Sequence, residues 1–560
     1  MEDALDLPSA KLDFLWTHRM PVFRIRSVLF SLITLIICLP VLALIGSWLE
    51  WNLASAQVLN ELLATVLPDY AITSMGLCLG VAMGVTILGT STAAAVTLFK
   101  FPGKAFFEWS LLLPMAIPAY VVAYAYTDFL QFSGSAQNFI RDQFALEGRV
   151  LPEIRSLGGA ILVFTLALYP YVYLLARTAL SERAPQLLEA ARMLGAPLQR
   201  RILEIAIPLA RPSVAAGVAL ALMETLADFG VSSYFGIQTF TAGVYKAWLV
   251  MDNRIAAAQL ATLLLGTVLV LMQIEKWAQA RMRFASLRSG LSSSTDAQPS
   301  TLKGLPAMAM STWCALPLFF GFVLPVLLML RPLMSSEIEV PWGRFIEWAT
   351  NSLRLGAITA VLAVWVALLL SFSLRTQRDL LTRMVASLVG LGYAVPGAVV
   401  VVGLLLPVMW LQQRWPELQV GYWLTATLLG LIWAYMVRFC AVALQTVQSG
   451  YARIPMSLDD SSRMLGISGM KLLTSVHSPL LKRSIFAATL LVFVDVMKEL
   501  PVTLVLRPFN TDTLAVMAYQ LARDERLGEA ALPSLALVLV GLLPVILLSR
   551  AMHQKAITTV

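Results

Sequence analysis

Uninterrupted apolar stretches of about 20 residues recur from one end of this sequence to the other, and they decide most of what the chain can become. A helix of that length crosses the hydrocarbon core of a bilayer. Lipid offers the backbone no hydrogen-bonding partner, so a spanning chain must be helical or a closed barrel. The stretches here are continuous rather than alternating, which selects helices. We read about twelve by hydropathy. They centre near residues 27–48, 71–98, 109–129, 158–177, 210–229 and 257–275, then near 308–330, 352–373, 385–410, 421–445, 483–500 and 531–549. The expected fold class is an all-α polytopic membrane protein with two parallel six-helix repeats. Composition agrees: 58% of the 560 residues are hydrophobic and only 13% are charged, with mean hydropathy +0.77, whereas soluble domains carry about 25% charged residues. The first stretch is too long for a signal-peptide core and lacks a small-residue cleavage site, so it is expected to stay as a membrane helix.

The formal net charge of +8 does not point to nucleic acid, because the basic residues sit between apolar stretches with no aromatic interleaving. Their placement sets topology instead. With the N-terminus inside, segments holding Arg19, Arg24, Arg26, Lys100, Lys104, Arg183, Arg192, Arg200, Arg201, Arg281, Arg283, Arg288, Arg375, Arg378 and Arg383 fall on the cytoplasmic side, the positive-inside bias. Both termini are then cytoplasmic. Outer loops carry acids such as Glu337, Glu339, Asp512, Asp524, Glu525 and Glu529. Trp48, Trp51, Trp109, Trp342 and Trp348 sit where an interfacial aromatic belt would lie, alongside membrane lipid. Cys38, Cys78, Cys314 and Cys440 are dispersed in apolar segments, and His18, His477 and His553 form no cluster, so no tightly bound metal is expected.

The sequence also repeats. Glu189-Ala190-Ala191-Arg192-Met193-Leu194-Gly195 matches Asp460-Ser461-Ser462-Arg463-Met464-Leu465-Gly466, an offset of 466 − 195 = 271 that Pro208 and Pro479 share. Asp252 and Arg254 match Asp524 and Arg526 at 272, and Pro118 and Pro396 occupy similar places in the third stretch of each half. Even numbers of spans on both sides make the repeats parallel, which puts a pathway at the interface of the halves. The expected division is a first half over 1–280, a flexible Ser- and Gly-rich cytoplasmic linker over 281–306, and a second half over 307–560.

Two cytoplasmic loops, near 182–208 and 453–479, carry the most specific signal. Glu189 to Leu194 are good helix formers, and Gly195 can end their helix in a left-handed conformation. Gln199 to Glu204 can form a second short helix, with Pro208 marking the turn back into the membrane. At these residues the chain resembles the permeases of ABC importers, whose signature is Glu-Ala-Ala, three residues, Gly, nine residues and Ile-x-Leu-Pro. The first loop keeps every spacing, with Ile207 in the Leu place. The second departs from it, with Asp460-Ser461-Ser462 for Glu-Ala-Ala and Val476 and Ser478 before Pro479. The resemblance implies that Glu189, Ala190, Ala191, Gly195 and Pro208, and Asp460, Ser461, Ser462, Gly466 and Pro479, form coupling loops that dock into a separate ATPase. Two loops in one chain imply two copies of that ATPase. No GxxxxGK[ST] phosphate loop is present, so ATP and Mg belong to the partner and this chain is expected to bind no cofactor and catalyse no reaction.

Segments Glu224 to Gly230 and Lys498 to Thr513 further resemble the fused permeases of ferric-iron importers, with thiamine, polyamine and sulfate permeases as other relatives. The resemblance implies a periplasmic solute-binding protein as partner, the bacterial inner membrane as location and alternating access driven by ATP. Glu224 and Asp228 are spaced i, i+4, which predicts one shared helix face, and adding 271 lands on Asp495 and Glu499. Ionisable groups inside spans usually face a cavity or a partner, and hard cations prefer carboxylate oxygen. The four acids are therefore candidate pathway or gate residues. The alternative is that they pair with Lys498, Arg254 or Arg526, or cap neighbouring helices. Asp252, Arg254, Asp524 and Arg526 are candidate docking residues for the binding protein, with local loop ion pairs as the other reading. A secondary transporter would also suit twelve spans in two parallel halves, but not two coupling loops. A membrane enzyme would need clustered ligands or a nucleophile motif that the sequence lacks.

Overall fold

The computed structural model describes residues 35–49, 53–288, 300–334, 341–376 and 379–557. The architecture is all-α and polytopic. The helices that position the functional sites are α1 (Leu35–Gly46), α2 (Leu67–Leu98), α3 (Leu157–Met193), α4 (Leu198–Ala227), α5 (Arg254–Arg288), α6 (Leu305–Met334), α7 (Trp342–Thr376), α8 (Gly397–Arg414), α9 (Leu428–Tyr451), α10 (Ser478–Lys498) and α11 (Leu527–Ile557). Among the described residues, nine helices are long and apolar enough to cross a membrane, or ten with one bent pair taken as a single span. That is fewer than the expected twelve for identifiable reasons. Only part of the first stretch is described. The stretch at 109–129 is bent, and α10 carries Lys482, Arg483, Asp495 and Lys498 within its 21 residues.

Proline sets the bends. Helices Lys104–Ala116 and Ala119–Phe144 meet at 88° around Pro118. The stretch expected at 385–410 likewise breaks at Pro396, between Leu380–Ala394 and α8. Proline supplies no amide hydrogen and forces the preceding residue out of the helical region. Ile117 and Val395 are accordingly at ψ 123 and 96.

Close packing of spans relies on small residues, as expected where lipid provides no hydrophobic drive between helices. The α2 face carrying Gly80, Gly84 and Gly89 lies on α3; a Cβ on Gly84 would stand 2.3 Å from Thr165 Oγ1. The first helix of each half lies across the other half. From α1, the Ile36 carbonyl accepts from Trp433 Nε1 at 2.7 Å, and the Pro40 carbonyl lies where a Cβ on Gly403 would be. From α6, the Phe320 carbonyl accepts from Tyr126 Oη at 2.6 Å, and Trp313 Nε1 donates to Ser91 Oγ at 3.0 Å.

Matching anchors recur along the chain. Ser74 Oγ on α2 accepts from the Phe240 amide, and Ser352 Oγ on α7 accepts from the Leu514 amide. Thr239 and Thr513 each cap the helix that follows. Of the segment expected to be a linker, residues 281–288 continue α5, and Ser300–Thr301 pair in parallel with Phe99–Lys100. Residues 289–299 lie outside the described residues, as do residues 1–34.

Candidate functional site

The two loops near 182–208 and 453–479 share their tips. Gly195 and Gly466 sit at φ +78° and +76°, the left-handed conformation that a helix-ending glycine tolerates. Glu189 pairs with Arg192 at 3.8 Å and Asp460 with Arg463 at 3.5 Å, both exposed i, i+3 pairs. Next to each glycine an apolar pair faces solvent: Met193 and Leu194 are 81% and 88% exposed, Met464 and Leu465 90% and 79%. Ala190 and Ser461 are exposed beside them, while Ala191 and Ser462 turn inward.

Pro208 and Pro479 do not mark a turn as the sequence suggested. Each lies in the first turn of a long helix, directly after a wide π-type turn, Ile202–Ala206 before Pro208 and Leu473–His477 before Pro479. A proline ring clashes with the carbonyl four residues earlier. Widening the helix by one residue is a common local adjustment. The short helix expected at 199–204 therefore runs on into α4.

The loops differ in how they are held. The helix of the first loop is the end of α3, one helix of 37 residues. The second is a separate helix, Ser457–Met464, joined to α9 by a turn containing Pro455. Asp459, which precedes Asp460, is buried and receives Arg375 Nε at 2.8 Å and Nη2 at 2.9 Å. Arg375 Nη1 donates to the Tyr451 and Ile454 carbonyls, and Nη2 also donates to Pro455 O. His477 Nε2 lies 3.1 Å from Asp459 Oδ1, and Tyr451 Oη 3.2 Å from His477 Nδ1. A carboxylate only accepts, so Nε2 carries the proton and Nδ1 accepts from the tyrosine. Burial pushes His477 below the ordinary imidazole value, against the raising effect of Asp459. Burial alone would raise Asp459, but bonds from Arg375 and His477 hold it below the usual carboxylate value. Sequence reading missed this cluster, since Arg375 lies 84 residues from Asp459 and His477 looked isolated.

Between the halves lies a cavity of about 640 Å³. Glu224, Asp228, Asp495 and Glu499 all line it, together with Lys498, Arg438, Tyr171 and Tyr393. The expected shared helix face is corrected. α4 ends at Ala227 and α10 at Lys498, and Asp228 and Glu499 are extended residues at the helix ends. Asp228 Oδ1 accepts from the Val231 amide at 2.8 Å. Glu499 accepts from the Val502 and Thr503 amides and from Thr503 Oγ1, and pairs with Arg438 at 2.9 Å. Those two acids cap the next helices, as the alternative reading had it. Glu224 Oε1 accepts from Tyr393 Oη at 2.8 Å, while Lys498 Nζ donates to Met115 O at 3.1 Å. Both cations come from the second half; the positions 271 earlier are Ala167 and Ala227. The lining is therefore four acids and two bases rather than a bare carboxylate ring.

At the outer loops, Asp252, Arg254, Asp524 and Arg526 are exposed. Arg526 makes a two-pronged local pair with Glu529 at 2.8 and 2.6 Å, and Glu525 reaches Arg155 at 3.5 Å. Asp252 and Glu525 adopt positive φ.

Residues 85–284 match the family model described as binding-protein-dependent transport system inner membrane component. Together with the many apolar helices, this defines the chain as a multi-pass inner-membrane permease of the binding-protein-dependent ABC importer type. Over 541 residues it is 25% identical to an Fe(3+)-transport system permease protein of Haemophilus influenzae, covering 95% of this chain and 99% of that one. It has the fused form of the ferric-type permeases. Shorter relatives match one part: a putative molybdenum transport system permease protein of Bacillus subtilis is 27% identical over 34% of this chain and 85% of its own length. A putative 2-aminoethylphosphonate transport system permease protein of Salmonella choleraesuis is 25% identical over 35% and 70%. The relatives are transport permeases, in keeping with a non-enzymatic subunit working beside a solute-binding protein and an ATPase.

Proposed function

We propose that this chain is the membrane subunit of an ATP-driven ferric-iron importer, with both termini in the cytoplasm. The observation that carries this reading is one cavity lined by acids from both halves, in a chain whose two cytoplasmic tips each present an exposed apolar pair. Each tip docks one ATPase subunit, which holds ATP and Mg. A periplasmic binding protein delivers the solute near Asp252, Arg254, Asp524 and Arg526. Closure of the ATPases draws the tips together, and the halves, 1–280 and 307–560 about the 281–306 linker, alternate the side to which the cavity opens. Glu224 and Asp495 are the acids left facing the cavity, since Asp228 and Glu499 are engaged at helix ends. They favour a cation in transit.

Lys498 and Arg438 favour a second reading, an oxyanion. The test is ATP-dependent uptake of radiolabelled ferric iron into proteoliposomes holding this permease, its ATPase and its binding protein, with molybdate and thiamine in parallel. Iron uptake abolished by Glu189→Ala with Asp460→Ala supports substrate and coupling together. Uptake of molybdate or thiamine instead removes iron and leaves the importer.

A further inference from the structure

The cluster around Asp459 joins four segments, of which the end of α7 is remote in sequence, with Arg375 84 residues from Asp459. Arg375 ends α7, Tyr451 ends α9, Asp459 lies on the coupling helix, and His477 directly precedes α10. All five guanidinium hydrogens of Arg375 find acceptors: one from Nε to Asp459, two from Nη1 to carbonyls, and two from Nη2 to Pro455 O and Asp459. The Arg375 and Asp459 side chains are 7% and 5% exposed and His477 is fully buried. A buried pair is a weak stabiliser relative to apolar packing, and breaking one partner leaves an uncompensated charge. Such a cluster serves geometry better than it serves net stability.

The first half has no counterpart. At the 271 offset, Asp459, His477 and Tyr451 correspond to Leu188, Ala206 and Leu180. At the 278 offset that relates Ser352 to Ser74, Arg375 corresponds to Thr97. There the coupling segment continues α3 without a turn. In the second half the turn after Tyr451 would act as a hinge and absorb a push on the tip. Arg375 binds three carbonyls of that turn and the coupling helix at once.

We propose that Arg375, Asp459 and His477 are positioning residues that lock the second coupling helix to α7 and α10, so that displacement of this tip reaches the cavity-lining end of α10 without loss at the hinge. This rests on the docking role proposed for the two loops.

The test uses the reconstituted permease with its ATPase and binding protein, reading solute uptake per ATP hydrolysed, complex assembly by size exclusion, and thermal unfolding. Arg375→Ala should lower uptake per ATP by about tenfold, the scale of an altered coupling element. Arg375→Lys, which keeps a point charge but not the fork, should recover part of that loss. His477→Gln, which leaves the Arg375–Asp459 pair in place, should fall between Arg375→Lys and the parent. Thr97→Ala should stay within about twofold of the parent, as expected of a position without such contacts. If Arg375→Ala does not assemble, Arg375→Lys and His477→Gln decide. Uptake per ATP equal to the parent in assembled variants overturns the lock. A parent that neither binds the ATPase nor transports overturns instead the docking role on which it rests.

Discussion

The two loops proposed to couple present the same tip on different supports. Each ends in a left-handed glycine beside an exposed Met-Leu pair and an i, i+3 ion pair, and each is followed by a π-type turn before proline. Behind the tip, one loop is an unbroken helix and the other a short helix held by a buried arginine. The difference teaches that a rigid lever can be built from local backbone bonding or from long-range side-chain bonding. Only the first kind is written in a contiguous stretch of sequence.

The comparison is broken most directly at the tips. Replacing Met193 and Leu194 with serine, or Met464 and Leu465, should each weaken ATPase binding by about 3 kcal/mol, roughly a hundredfold, if both side chains are buried in the partner. Binding of the ATPase to permease in nanodiscs measures this, and a loss confined to one tip would end their equivalence. Next comes the support. Asp459→Asn removes the charge that Arg375 faces and should lower unfolding stability by about 3 kcal/mol. Leu188→Asn at the corresponding site, which loses part-buried packing but unpairs no charge, should change it by about half as much. Equal shifts in thermal unfolding would contradict the contrast in supports.

The glycines sharpen the comparison further. A Cβ on Gly195 or Gly466 meets nothing within 4 Å, so alanine there costs only backbone strain, about 1 kcal/mol at each. Paired unfolding curves should superimpose. The smallest effect concerns pH. His477 is held neutral below its ordinary value of 6.5, so below that pH the unfolded chain takes up the proton first and stability falls with pH. His477→Gln should flatten this part of the profile.

Much of this was legible in the sequence because its causes are local. Apolar runs gave the helices, the Glu189 and Asp460 stretches gave the tips, and glycine placement gave their ends. The 271 offset brought Glu224, Asp228, Asp495 and Glu499 to one cavity. The helix stop after Ala227 was not legible: residues 224–228 read as an ordinary turn of helix, whereas Asp228 is extended and accepts from the Val231 amide of the next helix. The cations Arg438 and Lys498 stood in apolar segments with no sign of which acid they faced. The Arg375 cluster was invisible for the same reason, as its members meet only when α7, α9 and α10 pack.

The crossing of α1 and α6 has a consequence for how the protein is made. The site for α1 includes Gly403 and Trp433, and the site for α6 includes Ser91, Pro114 and Tyr126. When the first half has left the ribosome, Gly403 and Trp433 of the site for α1 are not yet made, and the first-half contacts meant for α6 are unfilled. Neither half can be finished before the other is begun. A chain halted after α5 should therefore be proteolysed in the membrane faster than the full chain, which pulse-chase measures.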